Sequence, residues 1–284
     1  SKYYFINEQP IYQLGIVNNK LGAKISFDPG FESNFSGMFG MNRLDNNWIL
    51  TGELNLQMEN YFKSAERGEF FWRRIDSLSQ TIKIGTILPH PFGWRTGVDI
   101  NYQHEIFRGL YASIENRYLL STYFPFIGTT GFGYVTGKTT PTLIGKENGY
   151  EKTSYYAFSL FSKKENLNDR YLPTSGNILK INADGGLDGK TVFLNSGIKL
   201  LKIGPINRNI FYRISYNATG ILYKGANVPK SRYHRFGGSS TLRGYDEQYF
   251  RATQFQIPSF ELGYDTKRLM QLKCFMDIGS DRLN

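Results

Sequence analysis

The sequence predicts an all-β chain, a transmembrane antiparallel β-barrel, and three observations carry that reading. Apolar and polar residues alternate with period two over long stretches, as they do in strands with one wet face and one apolar face. Several stretches reach about 10 residues, the length that crosses a bilayer at a tilt, whereas strands of soluble proteins average about 5–6. The composition, 16% aromatic with 30 Gly, 40% hydrophobic and a mean hydropathy of −0.40, counts against membrane helices and leaves a barrel open. A helical membrane protein needs apolar runs of about 20 residues. The nearest stretch, Tyr118 to Val135, is broken by Pro125 and by several Gly, Ser and Thr. A barrel needs no such run, because each strand is apolar on one face only.

The alternation is clearest from Trp48 to Tyr61. Trp48, Leu50, Gly52, Leu54, Leu56 and Met58 fall on one face, and Thr51, Glu53, Asn55, Gln57 and Glu59 on the other. The same phase pattern recurs at Val98, Ile100 and Tyr102, at Leu179, Ile181 and Ala183, at Val192, Leu194, Ile198 and Leu200, and at Ile210, Tyr212, Ile214, Tyr216 and Ala218. Read this way the chain holds about 13 strands. They are expected over 20–28, 35–44, 48–61, 77–88, 96–106, 110–120, 130–139, 154–164, 176–185, 190–202, 209–223, 253–264 and 270–278. Short polar turns are expected at Asp45–Asn47, Pro89–Trp94, Gly204–Asn207 and Asp265–Arg268, and long connections at Phe62–Asp76, Pro141–Lys152 and Gly225–Ala252. The two classes fall on opposite ends, as the inner turns and outer loops of bacterial barrels do, with a short outer connection at Phe107–Gly109 as the exception.

Nothing in the composition marks a boundary between domains, so residues 1–284 read as one barrel domain. No signal peptide is visible, and the expectation is that the sequence begins after one. Cys274 is the single cysteine, which excludes an internal disulfide and a Cys-rich metal site. His90, His104 and His234 lie far apart without metal-ligand spacing. No metal and no cofactor is expected. The net charge of +10 fits Lys and Arg spread over loops and a solvated interior, or contact with anionic headgroups or phosphates. Nucleic acid is not expected, since no run of Lys or Arg exceeds two.

Several apparent catalytic or nucleotide motifs fail on spacing. Gly133 to Thr139 is one residue short of a phosphate-binding loop, and in Asp184 to Thr191 the first glycine position is Asp184. His104-Glu105 lacks a second histidine at helical spacing, and His104 alternates with Tyr102 and Ile106 as an interface or surface residue would. Ser239 and Ser240 lack the frame of a nucleophile elbow. The chain is not expected to be an enzyme.

The long connection Gly225–Ala252 is different. It contains Phe236-Gly237-Gly238-Ser239-Ser240-Thr241-Leu242-Arg243-Gly244-Tyr245. Paired glycines allow tight folding, and unstructured connections beyond about 15 residues are usually functional. This stretch resembles the BamA-like superfamily of outer-membrane barrels, also described as bacterial surface antigen barrels. In that family a long external loop folds back into the lumen with a hydrophobic-Arg-Gly-aromatic tip, here Leu242-Arg243-Gly244-Tyr245. Phe275-Met276-Asp277-Ile278-Gly279 is similar to the family strand with a lumenal aspartate, and Ser259-Phe260-Glu261-Leu262 to the strand before it with a lumenal glutamate. Leu172-Pro173-Thr174-Ser175-Gly176 resembles the family's turn before the ninth strand. Alternation places Gln271, Lys273 and Asp277 on one face and Leu272, Cys274 and Met276 on the other, so Asp277 is lumenal if Cys274 faces lipid. An arginine carried into the barrel needs an anion, and Glu261 and Asp277 are the available partners.

The resemblance implies a barrel of about 16 strands preceded by periplasmic POTRA domains. On that expectation the last strands and the POTRA domains are absent from the sequence. It implies a Gram-negative outer membrane, and an insertase or translocase that assembles β-barrel proteins or exports polypeptides by strand pairing at a lateral seam. The implied partners are outer-membrane lipids and lipopolysaccharide, client barrels or secreted polypeptides, and periplasmic or lipoprotein accessory subunits. Alternatives are a two-partner secretion pore, the barrel anchor of a lipase-like domain, a passive diffusion porin, and a soluble β-sandwich.

Overall fold

A computed structural model describes all residues except 1–10, 18–19, 27–29, 32, 45–46, 170–171, 240, 267–269 and 283–284. Its strands run β1 (Ile11–Val17), β2 (Lys20–Ser26), β3 (Asn34–Leu44), β4 (Asn47–Glu59), β5 (Arg67–Arg74), β6 (Gln80–Leu88), β7 (Gly97–Phe107), β8 (Tyr111–Phe124) and β9 (Gly128–Pro141). A five-residue helix, α1 (Leu143–Glu147), precedes β10 (Thr153–Leu167), β11 (Gly176–Asp188), β12 (Thr191–Pro205) and β13 (Ile210–Tyr223). The short pair β14 (His234–Phe236) and β15 (Phe250–Ala252) lies in the next connection, before β16 (Gln254–Asp265), β17 (Gln271–Asp277) and β18 (Ser280–Arg282). No helix among the described residues is long and apolar enough to cross a membrane.

Strands β3 to β13, then β16 and β17, form one antiparallel sheet in chain order, and β18 pairs with β16 beyond the end of β17. The number of strands in the main path agrees with the expectation, but two members change. The strand expected at 20–28 pairs with β1 as a separate two-stranded hairpin. Its place is taken by β5, which lies inside the segment 62–76 expected to be a loop. Phe70-Phe71-Trp72 hides that strand's period. Phe71 is directed inward although apolar, and it is tolerated there because Arg73 and Lys83 lie 5.2 and 5.8 Å from its ring centroid. The extra strand also overturns the sorting of turns by length. The connections 75–79, 108–110 and 189–190 lie at the same end as 142–152 and the long 224–253 segment, while 60–66, 89–96 and 206–209 lie at the other. Both ends therefore carry short turns. The expected turns at 45–47 and 265–268 lie partly outside the described residues.

The two faces of the sheet differ as a barrel wall requires. Outward side chains are large and exposed: Phe158, Leu160, Phe132, Ile214 and Leu262 are examples. Inward side chains are polar, packed under the long connection, or gathered in a separate cluster of Leu201, Ile203 and Phe211 with Leu167 and Ile178. The wall is strongly curved. Arg117 on β8 reaches Asp184 on β11 at 2.7 Å, although three inter-strand steps of about 4.8 Å would separate those strands in a flat sheet. Tight packing on the concave side needs missing side chains. A Cβ at Gly137 would stand 2.2 Å from the ring of Tyr155, so glycine there lets Tyr155 lie across the wall.

The apolar core forms between the long connection and the inner wall. Val228 packs with Val135, Tyr155, Ala157, Phe193 and Ile221. Phe236 and Leu242 pack with Ala252, Phe255 and Ile257. Burying a side chain such as Leu242 contributes about 1.5–3 kcal/mol. The connection is thus held by apolar contact before any charge is considered.

Candidate functional site

The segment between β13 and β16 folds into the concave side of the sheet, and its tip is built by glycines. Gly237 and Gly238 have φ of 115° and 90°, and Gly244 has φ of 92°, a region that side chains with a Cβ avoid. At Gly238 an added Cβ would stand 2.3 Å from the Glu247 carboxyl carbon. The space is used: Ser239 donates to Glu247 from its backbone N–H at 3.0 Å and from its hydroxyl at 3.1 Å. Thr241 accepts from the Gly237 N–H at 2.8 Å and returns a bond to its carbonyl at 2.9 Å. Leu242 is buried, and Tyr245 is half-exposed with its ring edge on Phe250 at 4.8 Å.

These turns deliver Arg243 to the two carboxylates named from the sequence. Its Nε and Nη2 donate to Asp277 Oδ2 and Oδ1 at 2.8 and 2.6 Å, a bidentate fork. The Arg243 backbone N–H also donates to Oδ2, at 3.0 Å. Nη1 donates to Glu261 Oε1 at 2.7 Å. The guanidinium carbon stands 3.7 Å over the ring centroid of Phe275. Bonding to Asp277 raises the Arg243 pKa above the usual arginine value, with burial working against it. Glu261 and Asp277 meet there because β16 and β17 pair Glu261 with Phe275 and Ser259 with Asp277, which turns both carboxylates to the concave face. Leu272, Cys274 and Met276 are exposed on the other face, the phase expected for them.

The expected site residues, Gly237, Gly238, Leu242, Arg243, Gly244, Tyr245, Glu261 and Asp277, therefore form one assembly. The turn at Leu172–Gly176 instead contacts the other end of β17, where the Gln271 amide donates to the Leu172 carbonyl at 3.1 Å.

Three further arginines of the same connection anchor it to distant strands. Arg232 lies 3.6 Å over Tyr155 and 4.9 Å over Phe193. Arg235 donates to Glu105 on β7 at 2.6 Å and lies 4.5 Å over Phe107. Arg251 donates to the Tyr150 hydroxyl and lies 5.2 Å from the Phe107 centroid. Between these anchors His234 is pushed down to about 4 by burial and then by Arg232, and its Nε2 stands 3.3 Å from the Thr219 hydroxyl. The wall itself carries a polar brace. Arg117 binds Glu115 at 2.7 Å and Asp184 at 2.7 Å, Ser159 donates to Asp184 at 2.6 Å, and Tyr155 donates to Glu115. None of these roles follows from the failed motifs at His104-Glu105 and Asp184–Thr191; the signal in the sequence is the inward phase of Glu105 and Asp184, which marks both as lumenal carboxylates.

An antiparallel wall of long strands with a docked, arginine-pinned connection on its concave side defines a barrel-type fold. The chain belongs to the Omp85 superfamily, whose domain it matches over residues 17–282. Among solved structures it is similar to BamA from Haemophilus ducreyi lacking POTRA domains 1–3, with a TM-score of 0.63 at 14% identity, covering 98% of this chain and 63% of that one. It is similar also to CdiB from Acinetobacter baumannii, with a TM-score of 0.61 at 13% identity, covering 97% of this chain and 55% of that one. The chain thus spans less than two thirds of either structure. A comparison with curated proteins returns no match.

Proposed function

We propose that this chain is the membrane barrel of an outer-membrane protein that inserts or translocates other polypeptides. The observation that carries the reading is the lock between Arg243 and the Asp277–Glu261 pair, which holds the connection inside the wall. A passive diffusion pore gains nothing from a plug fastened to both sides of its lumen. Membership of the Omp85 superfamily supports the same direction. The barrel acts by guiding chains rather than by bond chemistry. A client strand adds to an open sheet edge by main-chain hydrogen bonding, and the aromatic outer wall perturbs the bilayer through mismatch. Outer-membrane lipids, lipopolysaccharide, client polypeptides and accessory subunits are the partners this role requires.

The likeness to CdiB, close in TM-score to the BamA likeness, supports a second reading in which the cargo is exported rather than inserted. One reconstitution separates them. The full-length protein in liposomes receives a urea-denatured outer-membrane barrel as client, and folded client is followed by gel mobility with external protease. Faster folding than in empty liposomes supports insertion. Cargo protected inside the vesicles supports export. A large, constant conductance with neither effect would overturn both.

A further inference from the structure

We infer that a cleft at the plugged end of the barrel is a binding site for a phosphate monoester. The cleft, of roughly 340 Å³, lies between the β7–β8 turn, the connection after α1 and the long connection, and is lined by Leu110, Asn148, Tyr150, Lys230, Tyr233 and Arg251. No lining residue is acidic. Among the described residues no ion pair joins Lys230 or Arg251 to a carboxylate, Glu147 and Glu151 of the neighbouring connection included. The excess charge extends beneath the cleft. Arg108, Arg235 and Arg251 lie 5.3, 4.5 and 5.2 Å from the Phe107 ring centroid, and Glu105, the carboxylate bound there, is engaged by Arg235 at 2.6 Å.

Both cations are held in place by neutral groups. Lys230 donates from Nζ to the Asn148 carbonyl at 2.9 Å. A Cβ at Gly149 would stand 3.1 Å from that Nζ, so glycine keeps the ammonium's position clear. Arg251 is fixed by the Tyr150 hydroxyl and by the Phe107 ring. Such anchors orient a cation and leave its charge unneutralised, which is how anion sites are built and how structural ion pairs are not.

Charge count selects the ligand class. Two unneutralised cations call for about two negative charges, and a phosphate monoester carries about −1.5 to −2 at pH 7 with three acceptor oxygens. A carboxylate or a phosphodiester carries one charge and leaves a cation uncompensated. Arginine binds such oxygens through its fork and lysine as a point charge. The source is a soluble phosphorylated metabolite or a monoester headgroup of a lipid lying at the rim.

The test is calorimetric titration of the full-length protein in phosphatidylcholine nanodiscs with glycerol 3-phosphate, with inorganic phosphate, acetate and a dimethyl phosphodiester as comparisons. Saturable binding of the monoester and of phosphate is expected, weaker for acetate and the diester by about tenfold, the value of one charge-assisted bond. Lys230→Gln keeps an amide donor for the Asn148 carbonyl but removes the charge. It is expected to weaken monoester binding about tenfold, and Lys230→Arg is expected to restore most of it. Exchanging phosphatidylcholine for phosphatidic acid identifies the source: competition with glycerol 3-phosphate points to a headgroup, and an unchanged titration to a soluble ligand. Equal binding of acetate and the monoester, or an unchanged affinity in a folded Lys230→Gln protein, overturns the assignment.

Discussion

Arg243 and Asp277 meet through three hydrogen bonds, two from the guanidinium at 2.8 and 2.6 Å and one from the Arg243 backbone N–H at 3.0 Å. The Asp277 side chain is 2% exposed. The backbone bond matters most for specificity, because it ties the position of the loop's main chain, and not only a side chain, to the barrel wall. Removal of Arg243 leaves the buried Asp277 carboxylate without its cation. Arg243→Ala is expected to destabilise the docked connection by about 3–5 kcal/mol. Arg243→Lys is expected to recover only part, since lysine lacks the fork. Urea unfolding in micelles and the rate of protease cleavage within 225–252 measure both. A cleavage rate unchanged in Arg243→Ala would show that the apolar contacts of Leu242 and Phe236 suffice alone.

The brace between Arg117 and Asp184 joins β8 to β11 and so holds the curvature of the wall. Asp184 is buried and also accepts from Ser159 at 2.6 Å. A double-mutant cycle with Arg117→Met and Asp184→Asn is expected to give a coupling energy within about 0.5–3 kcal/mol, toward its upper end because Asp184 is desolvated. Independent, additive effects in the cycle would mean that backbone pairing sets the curvature without it.

What could be read from the sequence depended on how local the signal was. Glu261, Asp277 and Cys274 took their correct faces because strands reverse phase at every residue, and Arg243 stood inside a recognisable Gly-rich tip. Arg232, Arg235 and Arg251 belonged to the same connection, yet their partners were invisible. Glu105 lies 130 residues from Arg235, and Tyr150 lies 101 from Arg251. No spacing rule reaches across such separations; only the curvature of the sheet brings the groups together. The strand Arg67–Arg74 was lost for a different reason. Consecutive Phe70, Phe71 and Trp72 erase the alternation, and the inward Phe71 is explained only by the cations of two strands beside it.

Cys274 offers a direct check on strand phase. It is exposed on the outer face between Leu272 and Met276, at 57% and 59% exposure. In the barrel embedded in lipid, a charged water-soluble maleimide is expected to label it slowly and a membrane-permeant one faster, because a charged reagent is excluded from the hydrocarbon beside the thiol. Rapid labelling by both reagents in intact bilayers would place β17 in water and reverse the assignment of its faces.

Docking of the connection is expected to weaken as acidity rises, through His234. Burial followed by repulsion from Arg232 holds its folded pKa near 4, against an unfolded value of about 6.5. A depressed histidine is neutral when docked, so between these values the released connection binds the extra proton and is favoured. The contribution of His234 is therefore fully present above pH about 6.5 and is lost as the pH falls toward 4. Hydrogen exchange over 225–252, compared at pH 7.5 and pH 5 after correction for intrinsic rates, should report more opening at the lower pH. His234→Gln keeps a polar group near the Thr219 hydroxyl but cannot titrate in this range, so it should remove most of that difference. An equal response to acid in His234→Gln would assign the effect to other groups and leave the histidine as a packing residue.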